Sequence, residues 1–243
     1  MKRAFPILAV LTAGLLSYAL YEALVVAPTD QLQGDVYRII YYHVPSAWTM
    51  FIFFLVNFVA SVVYLIRRNP KADAVAVAAA EVGVVFCTVV LVTGPIWARP
   101  VWGIWWTWDV RLTSTLVLWL IYVSYLILRR FSSGGQMPVL AAALAVFGAL
   151  DMPLVYFSIW FFRTQHPQPV VGGGGSIDPR MFQVWLINWA AFLCFGLLVF
   201  WSRYRLEVLR REVEEIQAME ALREPALSQA AMGNKISSTG TPR

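Results

Sequence analysis

Six long apolar runs, each ended or interrupted by charge, decide what this chain can fold into. They are Phe5 to Val26, Ser46 to Ile66, Ala74 to Trp97, Leu112 to Leu128, Pro138 to Phe162 and Met181 to Trp201. All fall in the range of roughly 17–25 residues that carries a helix across a bilayer core about 30 Å thick. A backbone in hydrocarbon must satisfy its own hydrogen bonds, and runs of this length do so as helices. The expected fold is therefore an all-α integral membrane protein with six transmembrane helices, both termini cytoplasmic and a tryptophan-rich periplasmic loop. Composition agrees: 59% of positions are hydrophobic and 14% charged, against roughly half and a quarter in a soluble domain. The runs leave no room for a separate soluble domain, so residues 1–202 are expected to form one six-span unit.

The first run is longer than a signal-peptide core and ends in V-V-A-P-T-D without an A-x-A site, so it reads as a retained span. After the sixth run the chain becomes charged. Leu206, Leu209, Val213 and Ile216 step by three and four, which predicts an amphipathic helix over 203–224. Pro225 is expected to stop it, and 225–243 reads as a disordered tail. Lys/Arg placement sets orientation. With the N-terminus inside, 14 of the 19 basic residues are cytoplasmic, and Arg38, Arg99, Arg111, Arg163 and Arg180 are outside. The net charge of +5 thus reflects topology and gives no indication of nucleic-acid binding. Cys87 and Cys194 both fall in apolar runs, with no C-x-x-C-H for covalent haem attachment, and are expected to be small buried hydrophobes.

This topology puts the first, third and fifth loops on the outer side. The third carries W-A-R-P-V-W-G-I-W-W-T-W-D-V-R-L-T-S, Trp97 to Ser114, with five tryptophans. An interfacial belt uses one or two per helix end. If this stretch is helical, Trp102, Trp105, Trp106 and Asp109 share a face, and a shelf of indoles suits a large flat aromatic ligand such as a porphyrin. The first and fifth loops carry His43 and His166, the only histidines in the chain. Imidazole is a common iron ligand, and one haem takes two axial ligands. Arg99 and Arg111 flank the indoles and suit propionates. Plainer roles compete. His43, beside Tyr41 and Tyr42, suits an aromatic belt, and Asp109 suits the N-cap of the fourth span. The four glycines 172–175 in the fifth loop read as a mobile segment without a phosphate motif.

Two segments, P-T-D-Q-L-Q-G-D-V-Y-R-I-I-Y-Y-H-V-P-S-A-W (Pro28 to Trp48) and W-G-I-W-W-T-W-D-V-R-L-T-S (Trp102 to Ser114), resemble the CcmC family of cytochrome c maturation. The second is similar to the WWD motif of the wider haem-handling superfamily, and the resemblance runs from about Leu8 to Trp201. It implies a haem-handling protein, not an enzyme, in the bacterial inner membrane. It implies transient, non-covalent haem b at the periplasmic face, with His43 and His166 as axial ligands. Trp102, Trp105, Trp106, Trp108 and Asp109 would form the haem platform. Implied partners are the haem chaperone CcmE, the ABC transporter subunits CcmA and CcmB, and the small membrane protein CcmD. One departure stands out: where the family has a tryptophan pair before the second histidine, this chain has Phe161 and Phe162, with Trp160 one position earlier.

Two rival readings use other residues. A permease would rely on Glu22 and Glu81, ionisable groups within the apolar runs. An electron-transfer subunit would place histidines inside its spans, and no predicted span contains one. Asp151, just before Pro153 in the fifth run, is expected at a kink.

Overall fold

In the computed structural model, residues 4–131, 136–169 and 177–238 are described, with side chains as far as Arg223. The glycines 172–175, most of the expected turn after Phe131, and residues 239–243 lie outside the described residues. The helices are α1 (Ala4–Tyr21), α2 (Ile40–Arg67), α3 (Pro70–Trp102), α4 (Val110–Phe131), α5 (Met137–Ala149), α6 (Asp151–Phe161) and α7 (Pro179–Ser238). A π-helical turn, Glu22–Val26, extends α1, and a 3-10 turn, Asp35–Ile39, precedes α2. Among the described residues, six segments are long and apolar enough to cross a membrane; α5 and α6 together make the fifth.

Helix ends follow local chemistry. Asn69 caps α3 by accepting from the Lys71 N–H at 2.9 Å, with Pro70 at the first helical position. Gly103 ends α3 at φ +80°, a left-handed conformation, and donates its N–H to the Arg99 carbonyl at 3.0 Å. The fifth span breaks between Ala149 and Asp151. Pro153 has no N–H for the Ala149 carbonyl, and its ring crowds that carbonyl, so the expected kink lies one turn upstream of the proline.

The core of the bundle is where α2 meets α3. Ala78, Ala79 and Ala80 are fully buried, and small residues allow close helix approach in a membrane. Gly83 packs so tightly on Phe54 that an added Cβ would lie 2.5 Å from its ring. Phe54 in turn stacks on Tyr122 of α4 at 3.9 Å. Asn57 Nδ2 donates to the Ala76 carbonyl at 2.8 Å, a buried hydrogen bond between the same two helices. Two ion pairs join distant segments. Arg129 binds both oxygens of buried Asp73 at 2.8 Å, and Arg203 binds both oxygens of Glu81 at 2.6 Å.

Several expectations are corrected. The second span starts at Ile40, not Ser46, so His43 and Pro45 are both helical. Pro45 lies near the helix start and forgoes only one backbone bond, to the Tyr41 carbonyl. A predicted membrane helix therefore does contain a histidine, at its end. The third span runs through Pro95 and Pro100 to Trp102, taking the first part of the tryptophan stretch into the helix. Cys87 is buried, but Cys194 is on the bundle surface. α7 continues past Pro225 to Ser238. A proline removes one donor from a helix already formed, and the A-L-S-Q-A-A that follows contains good helix formers. The segment from Arg205 forms a compact unit of its own. In it the ion pairs Arg210–Glu214 and Arg211–Glu207 lie at helical spacing, while Leu206, Leu209, Val213 and Ile216 are exposed.

The α2–α3 contact makes a prediction. Gly83→Val should lower stability by about 1–3 kcal/mol through overpacking against Phe54. This would appear as a reduced thermal midpoint in detergent. An unchanged midpoint would mean that the contact does not limit the packing of the pair.

Candidate haem site

The outer connector before α2 is a built structure. The Asp30 carboxylate accepts the backbone N–H groups of Leu32 and Gln33 at 2.9 and 2.7 Å. Gly34 adopts φ +60°, which a side chain would disfavour, and its N–H donates to the Asp30 carbonyl at 3.0 Å. Arg38 pairs with Asp35 at 2.8 Å and donates to the Ala23 carbonyl at 2.8 Å, tying this turn to the π turn that ends α1. Glu22, one of the rival permease residues, belongs to that terminal π turn. Gln33 accepts from the Trp97 indole N–H at 2.8 Å and so joins the first connector to α3.

His43 occupies the first turns of α2 and faces α3. Its Nδ1 lies 2.9 Å from the Thr93 hydroxyl, and Thr93 Oγ1 lies 2.7 Å from the Val89 carbonyl. A carbonyl only accepts, so the hydroxyl proton goes to Val89 and the hydroxyl oxygen receives the proton on His43 Nδ1. His43 Nε2 then keeps its lone pair. His166 reaches the same state by another route. Its Nδ1 lies 2.9 Å from the Pro167 carbonyl, which again requires a proton on Nδ1 and leaves Nε2 as the acceptor. Burial, and secondly the charge of Arg111, lowers the His166 pKa below its ordinary value, so the ring is neutral at pH 7.

The two imidazole centroids are 6.4 Å apart, with their planes tilted by 33°. Two imidazoles sharing one metal through bonds of about 2 Å place their ring centres about 6 Å apart. The centroid spacing of the pair matches that of two imidazoles on opposite sides of one metal. Its residues are 123 positions apart in the chain, brought together by α2 and the loop after α6.

The tryptophan stretch adopts a different form from a helical shelf. α3 ends at Trp102, and residues 103–109 are not helical, because Gly103 turns the chain. Trp102, Trp105, Trp106 and Asp109 therefore do not share a helix face. The indoles instead form two edge-on pairs, Trp97–Trp102 at 5.0 Å and Trp106–Trp108 at 5.8 Å. Trp105 and Trp108 are exposed, and Trp106 is half-buried. Trp106 and Trp108 line a recess of about 510 Å³ with Leu91, Pro95 and Leu116. Among the described residues the buried Trp106 Nε1 has no hydrogen-bond partner.

Asp109 serves as an N-cap and does more. Oδ1 accepts the Leu112 N–H at 3.0 Å, capping α4. Oδ2 accepts from the Thr107 hydroxyl at 3.1 Å and from the Gln165 N–H at 3.4 Å. The carboxylate thereby links the tryptophan segment to the residue before His166. Arg111, two residues on, has a buried guanidinium nitrogen, Nη1, without a partner among the described residues, and its charge acts on His166. A cation there, with a free donor, suits a carboxylate of a bound ligand. Arg99 is placed otherwise: it donates to the Gly103 carbonyl at the end of its own helix.

Thr93, Gln33 and the Gln165 backbone were not found from the sequence. The only signal for Thr93 was a polar residue in an apolar run. A second aromatic group was also missed: Trp48 of α2 packs edge-on against Trp185 and Trp189 of α7 at 6.0 and 5.7 Å. Glu81, the main permease residue, is held by Arg203. The electron-transfer reading loses its objection that no span contains a histidine, but His166 remains in a loop outside the bundle interior.

The fold and site together define a six-span membrane protein with paired neutral imidazoles and tryptophans at one end of its bundle. The chain belongs to the CcmC family: the family described as "Heme exporter protein C" matches residues 1–219. It is 37% identical to Heme exporter protein C of Bradyrhizobium diazoefficiens, over 96% of this chain and 89% of that protein. It is 35% identical to a putative cytochrome c biosynthesis ccmC-like mitochondrial protein of Arabidopsis thaliana, over 87% and 83% respectively. With Heme exporter protein C of Escherichia coli K12 it shares 38% identity over 68% of this chain and 67% of that protein. Membership supports a role in haem handling for cytochrome c maturation.

Asp109→Ala should cost about 1 kcal/mol through the lost cap. Asp109→Asn, which keeps an acceptor for Leu112, should cost clearly less. Thermal unfolding of both variants checks this; equal losses would show that the cap is not what Asp109 contributes.

Proposed function

We propose that this chain binds haem b non-covalently at the periplasmic face of the bacterial inner membrane and presents it to the haem chaperone CcmE. The reading rests on one observation above all: two imidazoles 6.4 Å apart, each with Nδ1 committed and Nε2 available. Those atoms would take the two axial positions of the iron. Arg111 would pair with a propionate, and the recess bounded by Trp106 and Trp108 would receive an apolar edge of the ring. The chain itself changes no bond. It holds the ring, sets the iron's ligands and keeps the site at the end of the bundle, where a partner can reach it. In this role it would work with CcmA, CcmB and CcmD as its resemblance to the family implies, and it is a carrier and not an enzyme.

The Lys/Arg bias supports periplasmic placement. Lys71, Arg129 and Arg130 lie at the bundle end opposite His43, and the helix-to-helix path from one to the other crosses the whole span. A site at the rim of the bundle suits transfer, because a haem that must leave is better held there than sealed inside.

The test is the visible spectrum of the purified full-length protein after haem addition, beside His43→Ala and His166→Ala. Native protein should show a b-type spectrum, with each variant losing or shifting it. A colourless native protein, or variants with unchanged spectra, would remove the two-histidine site.

A further inference from the structure

The two imidazoles are alike in tautomer and unlike in what holds them. His43 is fixed from two sides by α3. Its Nδ1–H meets the Thr93 hydroxyl at 2.9 Å, and that hydroxyl is itself held by the Val89 carbonyl at 2.7 Å. The ring also lies against Gly94, where an added Cβ would stand 3.4 Å from His43 Cε1. This places the imidazole between two helices that pack along most of their length, through Phe54 on Gly83 and Asn57 on Ala76. The acceptor for His43 therefore belongs to a different element from His43 itself, and moving the ring means breaking a contact between helices.

Among the described residues, His166 has no comparable anchor. Its Nδ1 acceptor is the carbonyl of Pro167, the next residue, so ring and acceptor travel together. Its own backbone N–H goes to Thr164 at 3.1 Å, again within the loop. Among the described residues, the bonds from this loop to other elements are long: Gln165 N–H to Asp109 at 3.4 Å and Gln168 Nε2 to the Ile159 carbonyl at 3.4 Å. Near the upper limit for a hydrogen bond, such contacts resist little.

From this asymmetry we infer that Thr93 is a positioning residue that makes His43 the retained ligand of the haem iron, while His166 is the ligand that detaches at hand-over. The inference rests on the two-histidine reading above and adds an order of release to it. Thr93 acts in two ways. It selects the tautomer that presents Nε2, and without its oxygen the alternative tautomer would put a proton on the ligating atom. It also accepts from Nδ1–H, which raises the basicity of a ligating imidazole and favours the ferric state. Release then needs only the loop to move, with α2 and α3 left in place.

The test uses the full-length protein in detergent, loaded with haem. Thr93→Val keeps the shape and removes the acceptor, and Thr93→Ser restores it. Thr93→Val should raise the haem midpoint potential, and Thr93→Ser should return it close to the native value. The upward shift should persist in a His166→Ala background and vanish in a His43→Ala background, which separates ligand tuning from a general disturbance of the bundle. Should Thr93→Val fail to accumulate, Thr93→Ala makes the same comparison. Transfer of haem to apomyoglobin should be several-fold faster from His43→Ala than from His166→Ala. An unchanged potential in Thr93→Val, a shift equally large without His43, or faster transfer from His166→Ala would overturn the assignment. A native protein that takes up no haem would instead overturn the two-histidine site, and this order of release with it.

Discussion

Hydrocarbon offers no hydrogen-bond partner, and most of this structure follows from that. Backbone polar groups are satisfied within helices, so the chain has six spans and its irregular segments collect at their ends. Polar side chains inside the bundle must find each other or a carbonyl. Asn57 turns to the Ala76 carbonyl, Asp73 takes the fork of Arg129, and Glu81 takes that of Arg203. Functional polar groups are then available only where helices end, and the two histidines, Asp109 and Arg111 all lie at such ends. The contact of His43 with Thr93 is the same rule at work: a polar ring at the rim of the bundle is oriented by a hydroxyl whose own proton is committed to a helix carbonyl.

A protein that passes haem on needs a site that forms reliably and opens easily. These demands conflict if one rigid element supplies every contact. Here they are divided. On the two-histidine reading, the helix pair α2–α3 would supply a ligand fixed by packing, and the loop after α6 one held, among the described residues, mainly by its own neighbours. Asp109 connects the two regions, because it caps α4 while touching the backbone beside His166. The tryptophans serve the site through different geometries. Trp97 and Trp102 pack with each other at the end of α3, while Trp106 and Trp108 turn towards a recess bounded by Leu91, Pro95 and Leu116.

The spans were legible in the sequence because membrane thickness and backbone satisfaction leave few alternatives. Asp109 as a cap was legible from its position before V-R-L-T, and the two histidines from their being the whole inventory. Boundaries were less so. Pro45 and Pro100 lay outside the expected spans, yet α2 and α3 absorb them, each losing a single backbone bond. The indole shelf failed because one glycine, Gly103, ends the helix in mid-motif. Pairings over long chain separations could not be read at all. Nothing in the sequence near Glu81 points to Arg203, and a threonine in an apolar run carries no periodic signal that it faces a histidine 50 residues earlier.

The most direct measurement is the electron paramagnetic resonance spectrum of the ferric, haem-loaded native protein. Two neutral imidazoles on one iron predict a low-spin signal of the two-histidine kind. A high-spin signal, from an iron with an axial position open to water, would contradict the pairing of His43 with His166 on which the account depends.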